Sequence, residues 1–587
     1  MKKALCLLLA VLLLLSMAAC TPADTGDDTD TPAKVEIPEW LNVESEKPLV
    51  KEGYEKTLRV WLRREPNCGP WEESWVYKYM SEVMNLNLEV TEVTGSDMGT
   101  KLSMAFGADE LPDIMIGFQS YFNAARLTQH GEIDGQLVNI APYITEELMP
   151  NLYRVYDQFP NYRQAVTTSQ GNIFGLGLIM SENYNTTPMT QWINYDLLDQ
   201  VGKKEPQTIN EFLDTMRAIK KLGTDMIPIG GGYGARNGPG MLFLNGLGYL
   251  TTDPTGKSPA IRNGKVVLPA ADSEVFGEYL KIMKQCYDEG LISPSYFTIK
   301  AEQVGAGIAE GKTAFLGGGG WPYQYTKDSK GSWWGLSPLT SEFNSTRQWP
   351  KATSAVTCGG FVITSSCPEE LIPLACRFAD LGYLKHNYNI FNKGPLLGME
   401  DDYKFGLGGW YYNESLVHQF VDMENNPGKW KNLNDYLDDK VHLWYAACWG
   451  YFDYDGSEDK VGYYVKNIYP DITGVDDPSI FRDYEPEGTV LTDVDYATMG
   501  ATLEIYPHIT FDTFPGNVFL SQELTAEVAD LNTAFFTYVD QEVAKFITGK
   551  RPLTDAELAK YFEEVNRIAG TRLLEIYTEY YTNLTKN

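Results

Sequence analysis

Apolar and polar residues alternate in "KTLRVWLRR" (56–64) and again in "LNLEVTEVTG" (86–95), which predicts two strands. Between them, "WEESWVYKYMSEVMN" (71–85) spaces its apolar residues as a helix does. "MGTKLSMAFGADE" (98–110) predicts a second helix, and "LPDIMIG" (111–117) a third strand with Pro112 ahead of its apolar run. Strand–helix–strand–helix–strand is the order of a parallel sheet. In such sheets ligands lie beyond the carboxyl ends of the strands. Arg63, Arg64 and Glu65 stand at the end of the first strand, and Gln119 and Ser120 follow the third.

The pattern then changes. Residues 171–202 form an extended, largely apolar passage with little helical spacing. "TINEFLDTMRAIKKLG" (208–223) predicts a helix with Thr208 as N-cap and Glu211 completing a capping box. "MIPIGGGYG" (226–234) reads as a strand running into glycines. Helices follow over 273–292 and 300–312, then a strand "TAFLG" (313–317), another in "AVTCGGFVITSS" (355–366), and a helix over 368–384 with Pro368 near its start. Residues 400–520 are rich in Tyr and Trp but have few periodic runs. Two strongly amphipathic stretches, 525–550 and 554–584, close the chain as helices.

The segment "AEGKTAFLGGGGWPYQY" (309–325) holds a Gly-Lys-Thr and four glycines before Trp321. A phosphate-binding loop would require glycine at position 306, where Ala306 stands, and would run strand–loop–helix. Here a helix precedes and a strand follows. The pattern therefore excludes a phosphate loop and leaves a strand ending in bare backbone that presents Trp321, Tyr323 and Tyr325.

At 587 residues the chain exceeds what one core serves, so two or more lobes are expected. Its formal charge of −31 repels nucleic acid and anionic membranes, and excludes both as partners. Aromatic content is high at 13%, and Tyr and Trp suit a partner that is part apolar and part hydroxylated. "MKKALCLLLAVLLLLSMAAC" has Lys2 and Lys3, an apolar run from Ala4 to Leu15 and small residues before Cys20, the layout of a secretory leader. "SMAAC" resembles a lipobox, with Met17 where Leu is usual, so Cys20 is the expected lipidation site. The Thr-, Pro- and Asp-rich segment after it reads as a flexible tether. The remaining cysteines, at 68, 286, 358, 367, 376 and 448, contain no CxxC and are expected to be mostly buried free thiols. Cys358 and Cys367 lie at the ends of a predicted strand roughly 30 Å long, too far apart to bridge.

Eight patterns occur in order: the lipobox, "AFGADELPDIMIG", "GNIFGLGL", "QWINYDLLDQVGKKEPQTINEFLDTMRAIK", "YDEGLISPSYF", "IAEGKTAFLGGGGWP", "GGFVITSSCPEELIPLACRFAD" and "FITGKRPLTDAELAKYFEEVNRIAGTRLLEIYTEYY". Together they resemble the extracellular solute-binding proteins of bacterial carbohydrate ABC transporters, family 1, and most of all its long Gram-positive lipoproteins. The resemblance covers residues 50–587 and departs at Asn194 and over 400–520. It implies an α/β fold of the type II periplasmic-binding class, with two lobes joined by crossing strands around a ligand cleft. The implied division is a leader over 1–19, a lipidated tether over 20–50, a first lobe from 51–180 and 337–390, and a second from 181–336 and 391–587. The implied ligand is a sugar or oligosaccharide and the implied partners are membrane permease subunits. The chain is expected to act as a lipid-anchored monomer outside the cell, with no cofactor or metal. Trp321 holds the place where the family presents an aromatic ring to the sugar. By the same resemblance Arg63, Arg64, Glu65, Gln119, Ser120, Glu182, Asn183, Tyr184, Tyr233 and Tyr323 are ligand candidates. Trp410 joins them from aromatic clustering alone.

A glycan-processing enzyme is the main competing class, and needs two carboxyl groups about 5–10 Å apart. No motif singles out such a pair. G-x-S-x-G and H-E-x-x-H are both absent, and the five histidines, at 130, 386, 418, 442 and 508, are not paired at metal-ligand spacing. "DYDGSED" (453–459) has its glycine at position 4 rather than 6 of a calcium loop. A ligand sensor docking on a membrane receptor is the other alternative.

Overall fold

The structure, a computed structural model, describes residues 35–64, 70–180, 190–318, 322, 333–350, 356–384, 410–412, 418–430, 436, 450–452, 505–510 and 512–586. The first sheet is built as its apolar pattern predicts. Strand β1 (Thr57–Arg64) pairs in parallel with β2 (Asn87–Thr94) and with β3 (Ile114–Ile116). Helix α1 (Trp75–Glu82) crosses from β1 to β2, and α2 (Met98–Ala108) from β2 to β3. Ser74 starts α1 by accepting the Tyr77 N–H, after a single 3-10 turn over Trp71–Glu73. Helix α3 (Ala124–Thr128) follows β3, with the Asn123 side chain accepting the Arg126 N–H.

The chain leaves this sheet through β4 (Leu178–Met180) and enters a second one with β5 (Trp192–Asn194). Asn194 caps the helix that follows by accepting the Leu197 N–H. Helix α4 (Ile209–Lys220) starts at Thr208, whose hydroxyl accepts the Glu211 N–H at 3.1 Å. Helices α5 (Phe276–Asp288) and α6 (Ala301–Ala309) precede β6 (Phe315–Leu316) and β7 (Trp333–Gly335), which flank β5 on either side, both antiparallel to it. The strand predicted over 226–234 shrinks to a single bridge between Ile229 and Phe315. Pro228 has no N–H to offer a ladder, and its carbonyl accepts from both Ala314 and Phe315.

From β7 the chain crosses back through β8 (Trp349–Pro350) to β9 (Phe361–Ile363), which joins the first sheet antiparallel to β3 and completes the order β9-β3-β1-β2. Helix α7 (Ile372–Asp380) then packs on that sheet. Strand β10 (Gly450–Phe452) runs parallel to β4, and β11 (Ile509–Thr510) parallel to β8. These short ladders are the crossings between two lobes. The long helix α8 (Gln522–Ile547), α9 (Asp555–Val565) and α10 (Thr571–Lys586) close the chain. Phe535, Phe546, Tyr561 and Leu573 are fully buried with Phe212, Phe243 and Phe315 in one large core. The N-terminal part of α8 also reaches the first lobe, where the Gln522 amide donates to the Glu132 carbonyl at 3.1 Å.

One expectation needs correction. Residues 38–50 do not belong to a flexible tether: Leu41, Leu49 and Val50 are buried, Leu41 bridges Val50, and Arg377 donates to the carbonyls of Asn42 and Ser45. Three apolar residues without a period carry no sequence signal, yet they suffice once α7 offers donors and the turn at Met84 and Asn85 bonds Leu49 and Val50. The Gly-Lys-Thr is a helix exit: Gly311 takes φ +68°, and Lys312 pairs with Glu310 at 2.6 Å and Asp225 at 2.9 Å. Cys286, Cys358, Cys367 and Cys376 are buried free thiols. Burial pushes Cys358 and Cys367 up to about 12, which keeps them protonated and unreactive.

Candidate functional site

The parallel register of β1 and β3 brings four of the predicted residues to one sheet edge. Arg63 and Arg64 end β1 opposite Val93 and Thr94. Arg64 Nη1 donates to Glu92 Oε2 at 2.7 Å, and the other oxygen of Glu92 accepts the Trp71 N–H at 2.9 Å. Arg64 is thereby tied to the loop beyond β1. Gln119 and Ser120 occupy the turn after β3, which Gly117 opens at φ +92° with its N–H on the Gly360 carbonyl. Gln119 Oε1 is buried without a hydrogen-bond partner, and Ser120 Oγ lies 3.7 Å from Met98 Sδ. The turn continues through Tyr121 and Phe122 to Asn123 and the start of α3.

Tyr233 sits on the second lobe, in the loop after Ile229. Its hydroxyl donates to Asp540 Oδ1 at 2.7 Å, and Lys257 Nζ holds both oxygens of Asp540 at 2.7 and 2.8 Å. Burial, reinforced by the Asp540 charge, holds the Tyr233 hydroxyl protonated far above its usual range. Three segments, the 230–238 loop, the 251–259 loop and α8, are thus locked together. Asp253 rigidifies the second: its oxygens accept from Thr255 N at 2.8 Å, Thr255 Oγ1 at 2.6 Å and Ser258 N at 2.7 Å. Removing the Tyr233 hydroxyl with Tyr233→Phe is expected to lower stability by about 1 kcal/mol. Denaturant melts would show an earlier midpoint at unchanged slope, and an unmoved midpoint would contradict the lock.

Between these parts lies a cavity of about 870 Å³. Asn123, Ala124 and Ala125 line it from the first lobe, and Gly234, Arg236 and residues 250–254 and 257–259 from the second. Pro350 at the crossing, residues 513–516, and the α8 face Thr525, Val528, Ala529, Asn532 and Phe536 close it, with Tyr577 of α10. Its volume lies in the upper part of the roughly 300–1,000 Å³ range of ligand clefts. The rings of Phe514, Phe536 and Tyr577 alternate with the amides of Asn123 and Asn532 and with threonine hydroxyls. Such a wall offers flat apolar faces and hydrogen-bond partners together.

Among the sequence candidates, Arg63, Arg64, Gln119, Ser120 and Tyr233 do not line this cavity; Gln119, Ser120 and Tyr233 stand one to four residues from lining ones. Glu65, Glu182, Asn183, Tyr184, Trp321, Tyr323 and Cys20 lie outside the described residues, as does the 453–459 loop. Trp410 begins a strand, Trp410–Tyr412, that pairs antiparallel with His418–Phe420. The first glycine before Trp321 is explained: a Cβ on Gly317 would fall 2.2 Å from the Gly238 carbonyl, and the Gly317 N–H donates to Asn237 at 2.8 Å. That close approach sets the 234–238 loop, and Arg236 with it, against the end of β6. Sequence reasoning missed Asn123, Arg236, Phe514, Asn532, Phe536 and Tyr577. Asn532 and Phe536 are four apart on a helix that was legible, but no local pattern tells which of its faces meets a cleft. Among the described residues no group of three His, Cys, Asp or Glu is placed to hold a metal ion, and no helix is long and apolar enough to cross a membrane.

The sequence profile described as "Bacterial extracellular solute-binding protein" matches residues 69–360. The fructooligosaccharide ABC transporter substrate-binding protein FusA of Streptococcus pneumoniae is 24% identical over 223 residues, which are 34% of this chain and 38% of FusA. Lipoprotein LipO of Bacillus subtilis is 20% identical over 282 residues, 45% of this chain and 50% of LipO. The chain therefore matches half or less of the length of these curated relatives. The structure of FusA in complex with kestose superposes with a TM-score of 0.66 at 17% identity, covering 90% of this chain and 100% of that one. An extracellular solute-binding protein from Bifidobacterium longum subsp. infantis gives 0.67 at 16%, covering 91% and 99%. These likenesses show the fold, two α/β lobes with crossing strands. Residues 69–360 thus carry the profile of the bacterial extracellular solute-binding protein family, a family of binding proteins rather than enzymes.

Proposed function

We propose that this protein is the substrate-binding component of a bacterial ABC importer, capturing a sugar or oligosaccharide in the cleft and handing it to membrane permease subunits. The observation that carries the reading is the cleft itself. Rings, amides and hydroxyls from two lobes converge on one cavity, on a fold shared with a protein whose structure holds kestose. Hinge closure of the lobes about the crossing strands would then enclose the ligand. A thermal-shift screen against mono- and oligosaccharides tests it. A saccharide at a hundred times its Kd raises stability by about 2.7 kcal/mol. No shift with any saccharide would sink the reading.

The saccharide is bound without turnover. Glycosidic cleavage needs two carboxyl groups across the bond; the binding role of the family supports capture without turnover, and catalytic release of reducing ends by the purified chain would contradict it. Trp321, Tyr323, Trp410, Glu65, Glu182, Asn183 and Tyr184 are proposed as further ligand contacts on the family resemblance, together with Arg63, Arg64, Gln119 and Ser120 at the ends of β1 and β3, while Tyr233 is proposed to support the wall through Asp540. The lobes are proposed as 51–180 with 337–390 and 181–336 with 391–587, residues 38–50 being packed on the first.

The mature protein is proposed to be a monomer that starts at Cys20 and is held by lipid at the outer face of the cell membrane, the leader and "AAC" supporting the assignment. A fatty-acid analogue fed to expressing cells is expected to label the wild-type chain and not Cys20→Ala. Equal labelling of both would contradict it.

A further inference from the structure

The chain is strongly acidic, with 79 Asp and Glu against 48 Lys and Arg. An arginine in such a chain meets a carboxylate easily, and many do: Arg59 pairs with Asp113, Arg217 with Glu289 and Arg551 with Glu542, each at 2.6 Å. Arg236 departs from this pattern. It lines the cavity, it is exposed there, and it meets no carboxylate among the described residues. The charges around it are already satisfied. Lys257 is neutralised by Asp540, and Asp253 is taken up by the Thr255 and Ser258 donors. Arg126, one residue beyond the lining Ala125 on the opposite wall, likewise has no carboxylate and lies over the Tyr121 ring at 3.8 Å. The backbone carrying Arg236 is held in place, because its carbonyl and those of Asn237 and Gly238 pack against Gly317. An unpartnered guanidinium on a fixed backbone, among rings and amides, is a receptor for a planar oxyanion, which it binds by two parallel N–H donors.

We propose that the captured saccharide carries a carboxylate, as a uronic or a sialic acid residue does, and that Arg236 receives it. The inference rests on the sugar-binding reading above and adds the ligand's charge. A neutral saccharide would leave Arg236 idle, while a carboxylate gains a charge-assisted pair in a cleft that closes around it.

Calorimetry on the purified chain separates the possibilities with matched probes: a galacturonic acid trimer against its uncharged methyl ester, and sialyllactose against lactose. At least one acidic probe is expected to bind about tenfold or more tightly than its neutral counterpart, and to weaken as salt is raised. Arg236→Gln is expected to cost that acidic probe about ten- to hundredfold in affinity, with the melting temperature unchanged and a clearly smaller loss for any neutral counterpart that binds. The preference for one acid over the other identifies its source. If a neutral probe binds as tightly as its acidic partner, or Arg236→Gln binds the acid like wild type, the inference is overturned while the sugar-binding reading stands. If these probes and every saccharide of the thermal-shift screen fail to bind, both fall.

Discussion

Asp380→Ala is expected to cost about 3–5 kcal/mol of stability. The Asp380 side chain is 0% exposed and the Arg377 side chain 2%, and they pair at 3.1 Å. Asp380 also accepts from Leu152 N at 2.8 Å and from Asn151 Nδ2 at 2.8 Å, so it caps the first turn of the helix Pro150–Gln158. Arg377 in turn holds Asn42 and Ser45. Removing the carboxylate strands a buried guanidinium and frees a helix start at once. The denaturation midpoint should fall accordingly, and residues 38–50 should become sensitive to protease. Replacing both partners with Arg377→Met and Asp380→Leu should cost less than Asp380→Ala alone, since no charge is then left buried without a counterion. A loss below about 1 kcal/mol for Asp380→Ala would show that water reaches the pair.

Gly359→Ala is expected to damage stability and ligand capture together. Gly359 has φ +72°, and a Cβ there would stand 2.3 Å from both the Cβ and the carbonyl oxygen of Phe122. The left-handed backbone alone costs a side chain about 1–2 kcal/mol, and the overlap about 1–3 kcal/mol more. Phe122 cannot yield cheaply, because it is fully buried and packs edge-on against Phe106 at 5.7 Å. The strain should therefore move the 121–125 turn, which carries Asn123 into the cleft. The measurable outcome is a lower melting temperature with weakened saccharide binding. A normal melt and normal affinity would mean that the crossing near Gly359 absorbs the methyl group.

Much of the first lobe was legible because its signals are local. The alternation in 56–64 and 86–95, the helical spacing between them and the apolar "IMI" at 114–116 gave the strands their order without any tertiary information. The caps at Thr208 and the exit at Gly311 were legible for the same reason. What escaped depends on contacts between distant segments. Pro228 reduced a predicted strand to one bridge, since a ladder needs every second N–H. Residues 38–50 became structure through Arg377, more than 300 positions away in sequence, and through the Met84 carbonyl, which accepts the Leu49 N–H at 2.9 Å. The cleft wall is the clearest case. Tyr233, chosen from its glycine-rich loop, is bound to Asp540, 307 residues on, and stands behind the wall it was expected to form. Arg236, three residues later, faces the cavity instead. A loop's sequence announces that it is a loop, and only its partners decide which side chains it presents.

The central claim is that a saccharide is held in the cleft between the lobes, and hydrogen–deuterium exchange with and without the best saccharide of the thermal-shift screen tests it most directly. The account predicts slowed exchange over 123–126, 234–259 and 513–536, the segments that meet at the cavity from both lobes, with the outer faces of α4 and α9 unchanged. Protection confined to one lobe, or appearing away from those segments, would contradict it.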